Sequence, residues 1–143
     1  MSDPAAAFAL HSRLAADTMP AGRLALSLVL VMNDSRYPWL ILVPAKPGLR
    51  ELHDLAASDR AQLIEEVAMA SRALESLHRP DKINVGAIGN IVPQLHVHVV
   101  ARHAGDAAWP APVWGVGHAV PYGAREAAEI RERIAAALAL APA

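Results

Sequence analysis

The run QLHVHVVAR, residues 94–102, is the feature that most constrains the fold, because polar and branched aliphatic side chains alternate along it. Side chains of a β-strand point to opposite faces with a period of two residues. A strand over this run would place Gln94, His96, His98 and Val100 on one face and the aliphatic residues Leu95, Val97 and Val99 on the other. We expect the aliphatic face to pack against a helix. The histidine face should be open to a ligand or to solvent, because buried imidazoles without hydrogen-bond partners are costly.

Three further apolar runs predict the other strands of a sheet. The runs at 24–32 and 39–43 flank the stretch NDSRYP, whose Asn, Asp, Ser and Pro residues favour a tight reversal. We therefore expect an antiparallel hairpin there. The run KINVGAI at 82–88 is joined to QLHVHVVAR through Gly-Asn, and the two predict a second hairpin packed on the first.

Three helices are predicted between and around these strands. A short helix is expected over residues 6–17, ended by MPAG at 19–22. A long helix should begin at Ser58 as N-cap and end near Arg79, because the following proline disfavours helical geometry in the residue before it. A closing helix is expected near 124–140. Its apolar face would be formed by Ile130, Ile134, Ala137 and Leu138.

The order of these elements predicts the fold class. Strands come in runs, with helices between and after them, and do not alternate strictly with helices along the chain. This order predicts an α+β fold with a mainly antiparallel sheet, one long helix between strands, and helices at both ends. At 143 residues we expect a single domain over 1–143, with the motif region at 84–106 and a C-terminal extension at 107–143. Residues 103–123 should be irregular, because Pro and Gly recur there.

Composition excludes several classes of function. The chain has no cysteine, so disulfides and thiolate metal sites are excluded. The formal net charge is −1 and the basic residues are scattered, so no nucleic-acid partner is expected. The longest apolar run, at 24–32, is far shorter than the ~20 residues that cross a bilayer, so no membrane partner is expected. The first twenty residues lack the basic start of a secretory signal, so we expect a cytoplasmic protein.

Three interpretations of His96 and His98 compete. In the first, they are hydrogen-bonded or solvated residues on a polar sheet face. In the second, they bind a metal, which needs further ligands. The candidates His53, His103 and His118 lie in predicted loops at no diagnostic spacing. In the third, one imidazole is a nucleophile toward phosphorus, because neutral imidazole predominates at pH 7 and forms covalent intermediates without a metal.

The stretch GNIVPQLHVHVVARHAGD, residues 89–106, resembles the signature of the histidine-triad family of nucleotide hydrolases and transferases. That signature is His-φ-His-φ-His-φ-φ, with φ hydrophobic, after a Gly-Gln-(Ser/Thr)-Val turn. The stretches LILVPAKP, ELHDL and NVGA resemble further family segments in the same order, so the resemblance covers roughly residues 20–106.

The resemblance implies a function and an assembly. It implies a homodimer that acts on the α-phosphorus of nucleoside phosphoramidates or dinucleoside polyphosphates. The reaction would pass through a nucleotidyl-histidine intermediate, with no metal and no cofactor. The nucleotide substrate would be the principal small-molecule partner.

Site residues are carried over position by position. His96 matches the central, nucleophilic histidine, and His98 matches the third histidine, which contacts the phosphate. Fixed donors around the phosphate would stabilise the charge that develops on its oxygens. The resemblance assigns phosphate contacts to Gly89, Asn90, Asn84 and Gln94, and ribose contacts to Asn33, with Asp34 as the fallback.

The chain also departs from the family pattern. Gln94 replaces the first histidine, and an amide can orient neighbours but cannot transfer a proton. Ile91 replaces a common Ser or Thr, and Trp39 stands where a Gly-His pair often precedes the strand. An alternative function is therefore a nucleotide-binding protein with little or no catalysis.

Ordinary roles are expected for five other residues. Trp109 and Trp114 should pack internally or at a dimer contact, Lys46 and Arg102 should be surface cations, and His53 should lie at a helix start.

Overall fold

A computed structural model describes residues 7–143 and contains one five-stranded antiparallel sheet. The strand order is β1-β2-β3-β5-β4, so β1 and β4 lie at the two edges. The strands are β1 Thr18–Arg23, β2 Ser27–Met32, β3 Trp39–Pro44, β4 Lys82–Gly86 and β5 Val97–Arg102.

Residues 7–143 form three helices, and the two longer ones cover one face of this sheet. The helices are α1 Ser12–Asp17, α2 Ala57–His78 and α3 Ala124–Leu138, with a single 3₁₀ turn at Leu52–Asp54. Aliphatic side chains of β2, β3 and β5 pack against α2 and α3, as expected for strands whose inward positions are branched. The predicted α+β class is confirmed. Within residues 7–143, no helix combines the length and the apolar character needed to cross a membrane.

The opposite face of the sheet is covered by α1 and by the irregular segment after β5. Leu14 of α1 and Ala108 and Val113 of that segment pack against Leu30 and Ile41 of the sheet. Residues 103–123 contain no helix or strand, as their Pro and Gly content predicts. His98 lies on this face, because it pairs with Ile41 across the ladder.

The two predicted hairpins join edge to edge. β2 pairs with β3 as predicted, and β4 pairs with β5. The second pair does not pack on the first, because β5 forms a ladder directly with β3 and extends the same sheet. Strand β5 begins at Val97, so Gln94 and His96 precede it.

The prediction of a helix over residues 6–17 was partly wrong. The helix begins at Ser12 and residues 7–11 are not helical, while residue 6 lies outside the described residues. The stretch MPAG, expected to end the helix, belongs to β1, which carries Pro20. An edge strand tolerates proline, because one side of its backbone needs no ladder partner.

The long and closing helices differ from the prediction only at their ends. Ala56, not Ser58, is the N-cap of α2, and Ser58 lies in the first turn. The helix ends at His78, followed by Arg79 in the left-handed conformation at φ 48°, close to the predicted end. In α3, Ile130, Ile134 and Leu138 are buried, but Ala137 is exposed.

A buried carboxylate ties α2 to the turn between β1 and β2. Glu66 is 0% exposed and accepts hydrogen bonds from the backbone N–H groups of Leu26 at 2.8 Å and Ser27 at 2.9 Å. Gln62 donates a third bond at 2.8 Å. A buried charge is tolerated when its lone pairs are satisfied in this way.

Replacing Glu66 with alanine should lower the free energy of unfolding by about 3 kcal/mol, because two buried N–H groups lose their acceptor. Glu65→Ala, at an exposed position one residue earlier, should change it by less than about 0.5 kcal/mol. Urea denaturation followed by circular dichroism measures both changes. If both variants change the free energy of unfolding by the same small amount, the hydrogen bonds of Glu66 do not contribute to stability.

Candidate active site

A cleft of about 700 Å³ opens on the face of the sheet that is covered by α1 and the irregular segment. We call it the histidine cleft, because His96 and His98 lie side by side in its lining with ring centroids 4.9 Å apart. Its walls are α1, residues 88–92 and residues 113–121. Its volume is in the range of small-molecule sites in proteins.

The hydrogen bond of His96 determines which of its ring nitrogens carries the proton. Nδ1 lies 2.7 Å from the backbone oxygen of Gln94. A carbonyl oxygen only accepts hydrogen bonds, so Nδ1 carries the hydrogen and donates it. In the neutral ring, Nε2 therefore holds the free lone pair. His96 is only 6% exposed, which limits the motion of the ring.

His98 has the opposite tautomer. The indole Nε1–H of Trp39 donates to Nδ1 of His98 at 3.0 Å. An indole N–H can only donate, so Nδ1 is the acceptor and Nε2 carries the hydrogen. Burial, and secondarily the neighbouring His96, lowers the pKa of His98 to about 4, so the ring is neutral at pH 7. In the cleft, His96 therefore offers a lone pair at Nε2, and His98 offers an N–H at Nε2.

Trp114 supplies a further wall of this site from the irregular segment. Its ring meets His98 edge-on at 5.3 Å and Trp39 at 6.3 Å between centroids. Gly86 of β4, the ladder partner of His98, makes room for it. A Cβ at position 86 would lie 2.9 Å from Trp114 Cη2, closer than packed atoms tolerate. A side chain at Gly86, the glycine of the NVGA stretch, would therefore displace the ring of Trp114.

The turn at residues 89–92 borders the cleft beside His96. Gly89, Asn90 and Ile91 all line it, and Gly89 has φ 70°, a conformation that favours glycine. Asn90 is exposed, so its amide can reach a ligand in the cleft. Ile91, which replaces the expected hydroxyl residue, is 74% exposed. Gly89, Asn90 and Ile91, which were all compared with the family signature, therefore lie together on one wall of the cleft.

Gln94 lies outside the lining of the histidine cleft. Its side-chain oxygen accepts from the backbone N–H of His11 at 2.8 Å, and its Nε2 donates to the oxygen of Ala9 at 2.9 Å. The side-chain amide of Gln94 therefore fixes residues 9–11, which precede α1, through two hydrogen bonds. Gln94 and His96 also line a smaller cavity of about 250 Å³, together with Arg50 and His53.

Half-buried Asn84 and buried Arg102 form a polar network away from the cleft lining. Asn84 Oδ1 accepts from Arg102 Nη1 at 2.8 Å. Arg102 also makes two bonds to Asp106, at 2.8 and 2.9 Å, and the hydrogen bonds from Arg102 lower the pKa of Asp106 to about 2. The prediction of a surface cation was wrong for Arg102, which is 1% exposed. Trp109 packs over its guanidinium, as the packing role predicted.

The predicted ribose-binding residues line the opposite end of the cleft. Asp34 is paired with Arg36 and accepts from the N–H of Val120 at 3.3 Å. Burial alone would raise the pKa of Asp34, but the hydrogen bonds from Arg36 and Val120 lower it. Asn33 Oδ1 accepts from the N–H of Tyr122 at 2.9 Å. Both residues therefore hold the irregular segment beside the cleft.

Sequence reasoning missed three charged residues of the cleft, namely Arg13, Asp17 and Arg36. Arg13 and Asp17 of α1 line it and form an exposed ion pair at 3.2 Å. Only the fold brings α1 to the histidine face, so no local pattern marks them.

The residues considered as further metal ligands lie apart. Among residues 7–143, no three His, Asp or Glu side chains come close enough together to hold a metal ion. His103 Nε2 lies 3.0 Å from the oxygen of His78, and His53 lines the smaller cavity.

The order of elements and the histidine strand together define a protein class. The family model described as HIT domain matches residues 17–105, more than half of the chain. The chain therefore belongs to the HIT domain family, as its triad-like motif predicted.

Individual relatives share both fold and sequence with this chain. A histidine triad protein from Bradyrhizobium japonicum is 47% identical, with a TM-score of 0.90 over 93% of this chain and 99% of that one. One from Marinobacter aquaeolei VT8 is 43% identical, with a TM-score of 0.91 over 94% and 98%.

A curated relative carries a named activity. AP-4-A phosphorylase of Mycobacterium tuberculosis is 35% identical over 95 residues, which are 56% of this chain and 49% of that protein. The chain thus spans about half the length of the curated relatives it matches.

Removing the Gln94 amide should release the segment before α1. In Gln94→Ala, we expect hydrogen exchange at the His11 amide to accelerate by about fivefold, because a net hydrogen bond of about 1 kcal/mol is lost. Gln94→Glu keeps an acceptor for His11 but loses the donor to Ala9, so it should retain part of the protection. Unchanged hydrogen exchange at the His11 amide in Gln94→Ala would show that the Gln94 side chain does not stabilise the segment before α1.

Proposed function

We propose that this protein hydrolyses or transfers nucleotidyl groups at the α-phosphorus of a nucleotide derivative, with His96 as nucleophile. One observation carries the proposal: two buried imidazoles in one cleft hold opposite tautomers, so a lone pair and a neutral N–H lie side by side. Membership of the HIT domain family and the similarity to AP-4-A phosphorylase support a nucleotide substrate.

In the first step, the Nε2 lone pair of His96 attacks the α-phosphorus and forms a P–N bond. The bond from phosphorus to the leaving group breaks, and the leaving group takes its electron pair. The Gln94 carbonyl already accepts a hydrogen bond from Nδ1–H, and this bond strengthens as the ring becomes positive. The ring therefore gains stabilisation as it becomes nucleotidylated.

In the second step, an acceptor attacks the same phosphorus and the P–N bond breaks. The electron pair returns to Nε2 and restores neutral His96. When the acceptor is water, it gives up a proton to solvent and the product is a nucleoside monophosphate. When the acceptor is a phosphate, the product is a nucleoside diphosphate, as in a phosphorylase reaction. The two outcomes share the first step.

Donors around the phosphate would stabilise the charge that develops on its oxygens. His98 Nε2–H and the turn at Gly89 and Asn90 would serve as these donors, because they line the same cleft as His96. Asn33 and Asp34 line the far end of the cleft, where the ribose would lie. The side chains of Asn84 and Gln94, already engaged with Arg102 and the segment before α1, support the phosphate site indirectly.

The leaving group is expected to be a phosphate and not an amine. A phosphate departs as an anion, whereas an amine leaving group requires a proton. Gln94 cannot supply that proton because an amide does not ionise. The lowered pKa of His98 leaves it without an acidic proton at neutral pH. We therefore propose dinucleoside polyphosphates as preferred substrates over nucleoside phosphoramidates.

The decisive experiment measures nucleotide release from a dinucleoside polyphosphate and from adenosine phosphoramidate, with and without chelator. His96→Ala should reduce release by at least about 10³-fold, because the attacking lone pair is lost. His118→Ala, at an exposed position in the irregular segment, should retain wild-type turnover. A nucleotidyl adduct on the wild-type chain should be detectable by mass spectrometry after acid-free quenching.

Other outcomes would favour the alternatives. Nucleotide binding without release or adduct would support a nucleotide-binding protein with little catalysis. Loss of release on adding chelator, restored by a divalent metal, would support a metal-dependent reaction.

We also propose that the protein is a homodimer assembled through the β4 edge. β4 pairs with β5 on one side only within the described chain, which leaves a row of backbone groups available for pairing. Apolar Val85 and Ile88, 51% and 45% exposed, lie in and after this strand. A second copy would cover both the edge and these side chains.

Val85→Lys should convert the dimer to a monomer, because the charge would be buried at the contact. Val120→Lys, at an equally exposed apolar position far along the chain, should leave the dimer intact. Size-exclusion chromatography with light scattering reports the mass of each variant. A monomeric wild-type chain at micromolar concentration would refute the assembly.

A further inference from the structure

We infer that Trp39 is a positioning residue, whose indole N–H fixes His98 in the tautomer that presents Nε2–H to the phosphoryl group. The inference rests on the proposed function only in naming the phosphoryl group as the recipient of this N–H. The tautomer itself follows from the contact between the two side chains.

Strand pairing brings the two rings together. Trp39 is the ladder partner of Val100, and Ile41 is the partner of His98, so Trp39 and His98 are diagonal neighbours on the same face. Both side chains are almost fully buried, and their ring centroids lie 5.7 Å apart. The 3.0 Å bond between Nε1 and Nδ1 therefore forms without exposed, mobile partners.

A hydrogen bond to one ring nitrogen selects between the two tautomers of neutral imidazole. An N–H donor stabilises the tautomer with its lone pair at Nδ1, and a net bond of ordinary strength shifts the ratio by on the order of tenfold. Without this donor, the hydrogen can move to Nδ1. Nε2 would then present a lone pair to the negatively charged phosphoryl oxygens, which is repulsive.

Trp114 touches the same imidazole but does not serve this function. Its ring meets His98 edge-on at a centroid distance of 5.3 Å. Its Nε1 is buried and has no hydrogen-bond partner among the described residues. The two tryptophans therefore differ in one respect that matters here: only Trp39 donates to His98. This difference makes Trp114 a matched control.

Burial of His98 supports the same role. The pKa of His98, lowered to about 4 by burial and then by His96, keeps the ring neutral at pH 7. A neutral ring has only one N–H to offer, so its location determines what His98 does. In His96 the carbonyl of Gln94 directs the hydrogen to Nδ1, the opposite nitrogen.

The test uses the full chain, labelled with ¹⁵N-histidine, and reads the two ring nitrogens of His98 by NMR at neutral pH. The wild type should show a protonated Nε2 and an unprotonated Nδ1. Trp39→Phe should move His98 toward a mixture of tautomers, while Trp114→Phe should keep the wild-type pattern. A wild-type His98 protonated at Nδ1, or an unchanged pattern in Trp39→Phe, would overturn the inference.

A second variant covers the case in which Trp39→Phe does not fold. Replacing Trp39 with 3-benzothienylalanine keeps the bicyclic shape and substitutes sulfur for the N–H. The expected result is the same shift of His98 toward the other tautomer, with unchanged secondary structure by circular dichroism. A wild-type tautomer pattern with this residue would overturn the inference.

Kinetics then separate this inference from the proposed function. Trp39→Phe should lower kcat by about tenfold with little change in KM, because the N–H acts mainly on the charge of the transition state. The tautomer readout needs no substrate, so it stands even when the wild type turns nothing over. Wild-type turnover with a tautomer pattern independent of Trp39 would retain the proposed function and reject the role of Trp39.

Discussion

The pairing of β3 with β5 is the interaction on which the site depends. It joins the first hairpin to the histidine strand and sets the register that places Trp39 beside His98. Because side chains alternate along a strand, a shift by one residue would turn His98 toward α2 and bring Val97 or Val99 into the cleft. Both strands are buried along their whole length, which holds that register firmly.

Two buried carboxylates organise the chain around this sheet. Glu66 binds the turn between β1 and β2 to α2, and Asp106 binds the backbone after β5 while pairing with Arg102. Each accepts several hydrogen bonds, which offsets the cost of burying its charge. Irregular backbone therefore has its polar groups satisfied close to the core.

The periodicity of the sequence was sufficient to predict the long helix, the strands of the first hairpin and the histidine face. It failed where contacts between distant residues decide the conformation. Gln94 appeared to continue the strand, but its amide bonds to backbone more than eighty residues away. β1 contains Pro20 and became a strand only because β2 offers an edge. Arg102 looked like a surface cation, because the alternation along the strand does not show that the following turn brings Asp106, four residues later, back onto it.

Gln94 connects two parts of the molecule through a single residue. Its carbonyl orients the ring of His96, while its side chain binds the backbone at Ala9 and His11. In the proposed function, a displacement of residues 9–11 would therefore change the hydrogen bond that directs the His96 lone pair. Turnover would then respond to a segment that lies outside the lining of the cleft.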